Sequence, residues 1–510
     1  MNLPSNTFQE LISQLRNLIQ GTGFANKSSD DEPFRSELFN SEQMNQYSIA
    51  LAKSHKISKK KMPDQLLPRL ADNEKVLLEV RQLLTKAVKE DYEMSPASEW
   101  LLDNFYLIEE QIRLSKKHLP KGYSQGLPQL NEGHSAGLPR VYDIVLELIS
   151  HSDGRVDGES ISDFLTSYST VTHLKLGELW AIPIMLRLAL IENLRRVSAF
   201  IAIDRVHKSL ADYWAKELIE TAERNPKNLI LVLADLARSN PPLERAFIAE
   251  FTRQLRGKGP TLAQALTWIE QRLAENGQSS NELVQLENQK QAADQVSVSN
   301  SIGSLRCLAS IDWRNFIETH SVVEQVLRED AIYPLMDFST RDHYRHALER
   351  IAKRSKMSEE EVACLVIQLT KSNSEKELPD SRMNHVGYYL IGKGLKQTEQ
   401  SAQIRIPLLW ELRKTMGRFP LLNYLGSIFF ITLAISALII LLVKGDTANY
   451  WLLAFIGILS VLCASQLASG VVNFLSTLIV RPSLLPRMDY SRGIPEESRT
   501  LVVIPCMLNN

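Results

Sequence analysis

Residues 419–443 are 25 consecutive positions without a charged side chain, and after Lys444-Gly445-Asp446 a second uncharged run covers 447–480, 34 positions. As a helix, 421–443 extends about 35 Å, enough to cross a hydrocarbon core of about 30 Å. The second run would extend about 51 Å as one straight helix, more than a bilayer needs. The pattern predicts a transmembrane hairpin of residues 421–443 and 451–473, with 474–480 tilted, bent or lying at the interface. Tyr424, Tyr450 and Trp451 fall where interfacial aromatics belong. The competing reading is a hairpin inside a large soluble core, but two adjacent charge-free runs of this length are rare there.

Flanking charge sets the orientation. Arg405, Arg413, Lys414 and Arg418 precede the first run, Arg481, Arg487 and Arg492 follow the second, and the connection holds only Lys444 as a basic residue. The positive-inside rule then places both termini in the cytoplasm, with Arg413, Lys414, Arg418, Arg481 and Arg487 as the topology-determining residues. The lipid bilayer is the partner this implies. Over the whole chain the charge is balanced, 58 basic against 59 acidic residues, which argues against a nucleic-acid binder. Cys307, Cys364, Cys463 and Cys506 form neither a disulfide framework nor a CxxC metal site.

Upstream of the hairpin the chain reads as mainly α. The expected organisation is a helical or linker region at 1–90, a cytosolic all-helical domain at 91–400, and a basic juxtamembrane segment at 401–420. Phe8, Leu11, Ile12, Leu15, Leu18 and Ile19 recur at helical spacing and predict an amphipathic helix rather than a signal peptide. Residues 28–45 read as a polar loop. Lys53, Lys56, Lys59, Lys60 and Lys61 read as a solvated helix face, diluted by Asp64, Asp72 and Glu74. Ser95-Pro96 starts a helix with Leu101, Phe105, Ile108 and Ile112 on one face, while Glu109 and Arg113 can pair on another. Residues 119–139 read as a loop, and 141–149 as a helix. Residues 176–203 are very apolar, yet Glu178, Arg187, Glu192, Arg195 and Arg196 interrupt them, so a buried helix of a soluble bundle is expected. Residues 229–236 read the same way. Ser339 with Asp342 and Ser358 with Glu361 have capping-box spacing.

Catalytic patterns are scarce. His343 and His346 sit three apart beside Asp342, but no further ligand at useful spacing joins them, and they read as a polar helix face. Residues 153–164 resemble a calcium loop until position three proves to be Arg155 and position twelve Phe164, so a turn is expected. Gly392-Lys393-Gly394 lacks the remaining residues of a phosphate loop and reads as an interhelical turn. No GxSxG, HExxH or Asp-x-Asp occurs. Residues 500–505 (TLVVIP) form a β-branched apolar run that reads as a buried strand without a neighbour. Residues 481–510 are accordingly expected to be a linker and the stub of an incomplete α/β domain.

Several long stretches resemble the N-terminal portion of the bacterial cyclic β-1,2-glucan synthases. They are residues 100–113 (WLLDNFYLIEEQIR), 138–150 (LPRVYDIVLELIS), 174–196 (LKLGELWAIPIMLRLALIENLRR), 291–306 (QAADQVSVSNSIGSLR), 312–350 and 385–394 (HVGYYLIGKG). The resemblance covers nearly all of 95–510. It implies an inner-membrane enzyme that transfers glucose from UDP-glucose into β-1,2-linked chains and closes them into rings, with residues 500–510 opening its glycosyltransferase domain. UDP-glucose and a divalent metal are then expected only of the full-length family, and this chain is expected to hold no catalytic, cofactor or metal residue and to be inactive alone. Its expected partners are the rest of the synthase or other copies of it. The alternative is a self-contained, non-enzymatic membrane adaptor with a cytosolic helical domain.

Overall fold

The structure is a computed structural model and describes residues 32–58, 60–374, 381–404, 419–444, 450–479, 485–491, 493–501 and 503. The amphipathic helix expected at 8–19 lies outside them. Tertiary contacts divide the chain into two units, Met1–Ser321 and Val322–Asn510. The expected boundary at residue 90 is absent from the packing: Leu66, Leu70, Leu77, Val80 and Leu84 share one core with Leu101, Ile108 and Ile149. Among the described residues there are helices and three isolated β-bridges but no strand.

The first unit is organised by one helix, Leu176–Arg224, of 49 residues, which extends about 74 Å. It runs through Pro183 without ending. Its N-terminal two-thirds, from Leu176 to Val206, packs into the larger core with Leu66–Lys89, Pro96–Asp103, Phe105–His118 and Arg140–His151. Leu210, Trp214 and Leu218 then enter a second core built with Phe247, Phe251, Ile269 and Leu273.

The two acidic residues that interrupt this apolar helix, Glu178 and Glu192, are neutralised inside the protein. Glu192 is buried and accepts from Arg69 Nε at 2.6 Å, Arg196 Nη2 at 2.7 Å and Tyr142 Oη at 2.9 Å. Burial alone would raise its pKa, but the surrounding arginines hold it well below the usual carboxylate range. Glu178 is held by buried Arg140 through Nε at 2.9 Å and Nη2 at 2.6 Å. It also caps the helix, accepting from Lys175 N at 3.0 Å. A buried charge without such partners would be prohibitively costly.

Other local expectations resolve in detail. Ser95 caps Pro96–Asp103, accepting from Ser98 N at 3.3 Å. The helix breaks at Asn104, and Phe105–His118 continues the buried face. Glu109 pairs with Arg81 at 2.7 Å, a tertiary partner rather than the expected Arg113. The loop expected at 28–45 gives way to a helix, Ser41–Ser54, because Asn40 and Gln43 form a capping box. Of the lysine cluster only Lys53 lies on that helix; Lys56 follows it and pairs with Glu132 at 3.1 Å, and Lys59 lies outside the described residues. Helix Leu229–Ser239 buries Leu229 and Leu236 but leaves Ile230 and Leu231 exposed, so it is a surface helix.

The false calcium loop is a docked turn. Gly154 adopts φ +77°, and a Cβ there would stand 2.6 Å from Ser301 Oγ, so only glycine fits. Helix Ser280–Ser310 satisfies the turn's backbone: Asn300 Nδ2 donates to Asp153 O at 3.1 Å and Ser304 Oγ to Gly154 O at 2.8 Å.

The second unit has its own core, formed by Leu327, Tyr333, Leu348, Val362, Val366 and Tyr389. At its centre buried Glu324 accepts from Arg345 Nη1 at 2.5 Å, Arg341 Nη1 at 3.0 Å and Tyr333 Oη at 2.6 Å. Helix Phe338–Ala352 is capped by Asp337, which accepts from Thr340 N at 2.9 Å, and not by the Ser339 box. The Ser358–Glu361 box is present in both directions, at 2.7 and 3.2 Å. Gly392-Lys393-Gly394 is a turn between Val386–Leu390 and Leu395–Ser401.

The hairpin follows as Pro420–Lys444 and Tyr450–Ile479. The second helix continues unbroken past residue 473. Beyond it Leu501 and Val503 are in no strand and are 87% and 75% exposed, so the buried strand expected at 500–505 is not found at these positions. An isolated extended segment has no ladder partner for its amides and carbonyls. Val502 and 504–510 lie outside the described residues.

Candidate functional site

Three features can carry function: the hairpin, the clamp behind it, and a polar cleft in the first unit. The two apolar helices, Pro420–Val443 and Trp451–Leu478, have only 11% and 17% of their most apolar windows buried. A core helix of a soluble protein would be mostly buried, so this apolar surface requires lipid or further protein against it. The helices pack antiparallel. Tyr424 Oη donates to Asn473 Oδ1 at 2.6 Å near one end, and Ile440 approaches Gly457 near the other. Ala464, Ala468 and Ser460 are buried, the small residues that let membrane helices approach closely.

Of the sequence-derived topology residues, Arg413, Lys414, Arg418 and Arg481 lie outside the described residues. Arg487 is described, and its backbone forms a clamp that the charge pattern did not reveal. Asp337 N donates to Arg487 O at 3.0 Å, Arg487 N to Thr340 Oγ1 at 3.0 Å and Asp489 N to Leu335 O at 2.8 Å. Met488 packs against the second unit's core. The chain leaving the hairpin is therefore fastened to the small helical body that precedes it. Leu485 is six residues beyond Ile479 and so lies within about 22 Å of that helix end.

His343 and His346 are not brought together with further ligands. His346 lies between Asp342 (Nε2–Oδ2 3.4 Å) and Glu349 (Nδ1–Oε2 3.2 Å). Hydrogen bonds donated to these carboxylates raise its pKa to about 9, and the same contact lowers Glu349 to about 2. Among the described residues no three His, Cys, Asp or Glu side chains converge on a possible metal position.

The cleft encloses about 560 Å³, an ordinary small-molecule volume. Arg205 and Lys208 come from the long helix, Glu250 and Arg253 from Arg245–Leu255, and Asn281 and Asn288 from Ser280–Ser310. Arg205 pairs with Asp212 at 3.0 Å, Arg253 with Glu250 at 2.5 Å and with Glu93 at 3.0 Å. Gln254 Nε2 donates to both Asp212 (3.2 Å) and Glu250 (2.8 Å). Burial, and then the neighbouring Glu250 carboxyl, push Asp212 up to about 6. The Thr252 hydroxyl is buried without a hydrogen-bond partner. Sequence reasoning missed this cleft, because its residues lie between 93 and 291 and only the fold gathers them.

No protein-family model matches the chain. A curated protein does: a cyclic β-(1,2)-glucan synthase, NdvB, of Rhizobium meliloti (strain 1021), 30% identical over 450 residues and 88% of this chain. The chain is related to the cyclic β-(1,2)-glucan synthases. It spans about a sixth of the length of that relative, 16%. The resemblance read from the sequence therefore stands. Its quoted stretches include the buried groups described above, Glu192, Arg196, Glu178, Glu324 and Arg345 among them. With the two exposed apolar helices, this relationship supports a membrane location.

Proposed function

We propose that this chain is the membrane-anchoring, N-terminal part of a cyclic β-1,2-glucan synthase of a bacterial inner membrane. The observation that carries the reading is the 450-residue similarity to a glucan synthase, joined to a hairpin whose apolar surface is left uncovered. Its helical body and both hairpin flanks face the cytoplasm. Supporting this are the basic residues on both outer flanks, against a single lysine between the helices. The clamp at Arg487 also keeps the exit on the same side as the body before the entrance. In this role the helical part positions the synthase at the membrane, while transfer from UDP-glucose belongs to other segments of the synthase.

Two measurements test the reading. In inverted inner-membrane vesicles, added protease should digest residues 1–400; protection of that segment overturns the orientation. The purified chain incubated with UDP-glucose should yield no glucan; glucan formation overturns the division of labour.

A further inference from the structure

We propose that the cleft of the first unit binds a saccharide through its hydroxyl groups. Four cationic side chains line it, Arg205, Lys208, Arg253 and Arg256, together with three carboxylates, Glu93, Asp212 and Glu250. Most of these charges already answer one another. Arg205 pairs with Asp212, Arg253 with Glu250 and Glu93, and Lys208 with Glu287 at 3.5 Å. A strongly anionic ligand would have to displace these carboxylates or lie against them, and a wholly apolar ligand would bury the charged groups with no hydrogen-bonding partner.

A neutral polyhydroxylated ligand matches both signs. Each of its hydroxyls can donate to a carboxylate and accept from a guanidinium, ammonium or amide. Asn288 and Gln291 add planar amides to the wall. Arg256 donates to Asn281 at 3.4 Å and is in no ion pair among the described residues, so it can turn to a ligand. Among the described residues no aromatic side chain lines the cleft, so there is no stacking platform and weak binding is expected.

The saccharide class follows from the cleft alone; the choice of a glucan disaccharide as probe rests on the proposed function. The full chain, purified in a detergent without a sugar headgroup, is titrated calorimetrically with sophorose, the β-1,2-linked glucose disaccharide. Maltose, cellobiose and inorganic phosphate are titrated in parallel. Saturable sophorose binding is expected, weakened about tenfold by Arg256→Ala, and weakened also by Asn288→Ala. Arg256 and Asn288 are exposed, so their variants keep the wild-type circular dichroism. Binding of maltose or cellobiose but not sophorose supports the cleft while counting against the glucan reading. The proposal is overturned if no saccharide binds, if both variants bind like wild type, or if phosphate binds in place of the sugars. Membrane integration, measured on the same preparation, reports separately on the anchoring role.

Discussion

The helix Leu176–Arg224 and the hairpin helices are all rich in leucine, isoleucine and alanine, yet they solve opposite problems. In the long helix acidic residues recur at Glu178 and Glu192, and each meets an arginine inside the protein. The hairpin helices hold no charge through 419–443 and 447–480, and turn Phe429, Phe430, Leu433 and Phe455 outward. Average hydropathy is markedly higher in the hairpin helices. The physical difference behind it is that the long helix carries acidic charges answered within the fold, while the hairpin turns its apolar side chains outward.

The largest effect should come from breaking the internal compensation. Glu192→Ala leaves Arg69 and Arg196 facing each other around Tyr142, and should cost about 3–5 kcal/mol. Chemical denaturation of the full chain, followed by tryptophan fluorescence, measures it; a loss below about 1 kcal/mol would mean the arginines find other partners. Giving the hairpin the charge it lacks is next. Leu433→Arg, on an exposed face, should disfavour insertion by about 2.5–3.5 kcal/mol, read as protein released from membranes by alkaline carbonate. Unchanged retention would point to a protein or water-lined environment for that face.

A smaller change sharpens the hairpin itself. Tyr424→Phe removes the bond to Asn473 and should weaken helix pairing by about 0.6 kcal/mol, detectable as slower disulfide cross-linking between cysteines introduced at 440 and 457. The smallest effect concerns the second unit outside the membrane. His346 has a raised pKa, so its contribution is fully present below its ordinary value of 6.5 and is lost as pH rises through about 9. The Glu349 contribution runs the other way, present above its ordinary value of 4.5 and lost as pH falls through about 2. The melting temperature should therefore decline modestly between pH 6.5 and 9, because His346 is half exposed. His346→Gln should flatten that slope; an equal slope in the variant would assign it elsewhere.

The contrast also explains what the sequence could disclose. The hairpin was legible because an absence of charge is a local property, readable without knowing any neighbour. The Ser95 and Ser358 caps were legible for the same reason, since their partners lie three residues away. Ser339 misled because Asp337, with Thr340 three positions on, competes for the same helix start, and the carboxylate prevails. Ile230 and Leu231 misled because an apolar run does not say what lies opposite it. The cleft was illegible because Arg205, Glu250 and Asn288 belong to three helices that only packing brings together, and the Arg487 clamp because it is made by backbone.

That clamp turns the hairpin into a loop closed at its base. Five residues, 480–484, join the second helix to the fastened segment that begins at Leu485, so the end of that helix stays within about 22 Å of Leu485. A change in bilayer thickness can be taken up by helix tilt or by this short connection, and in either case the exit stays tethered to the body that precedes the entrance.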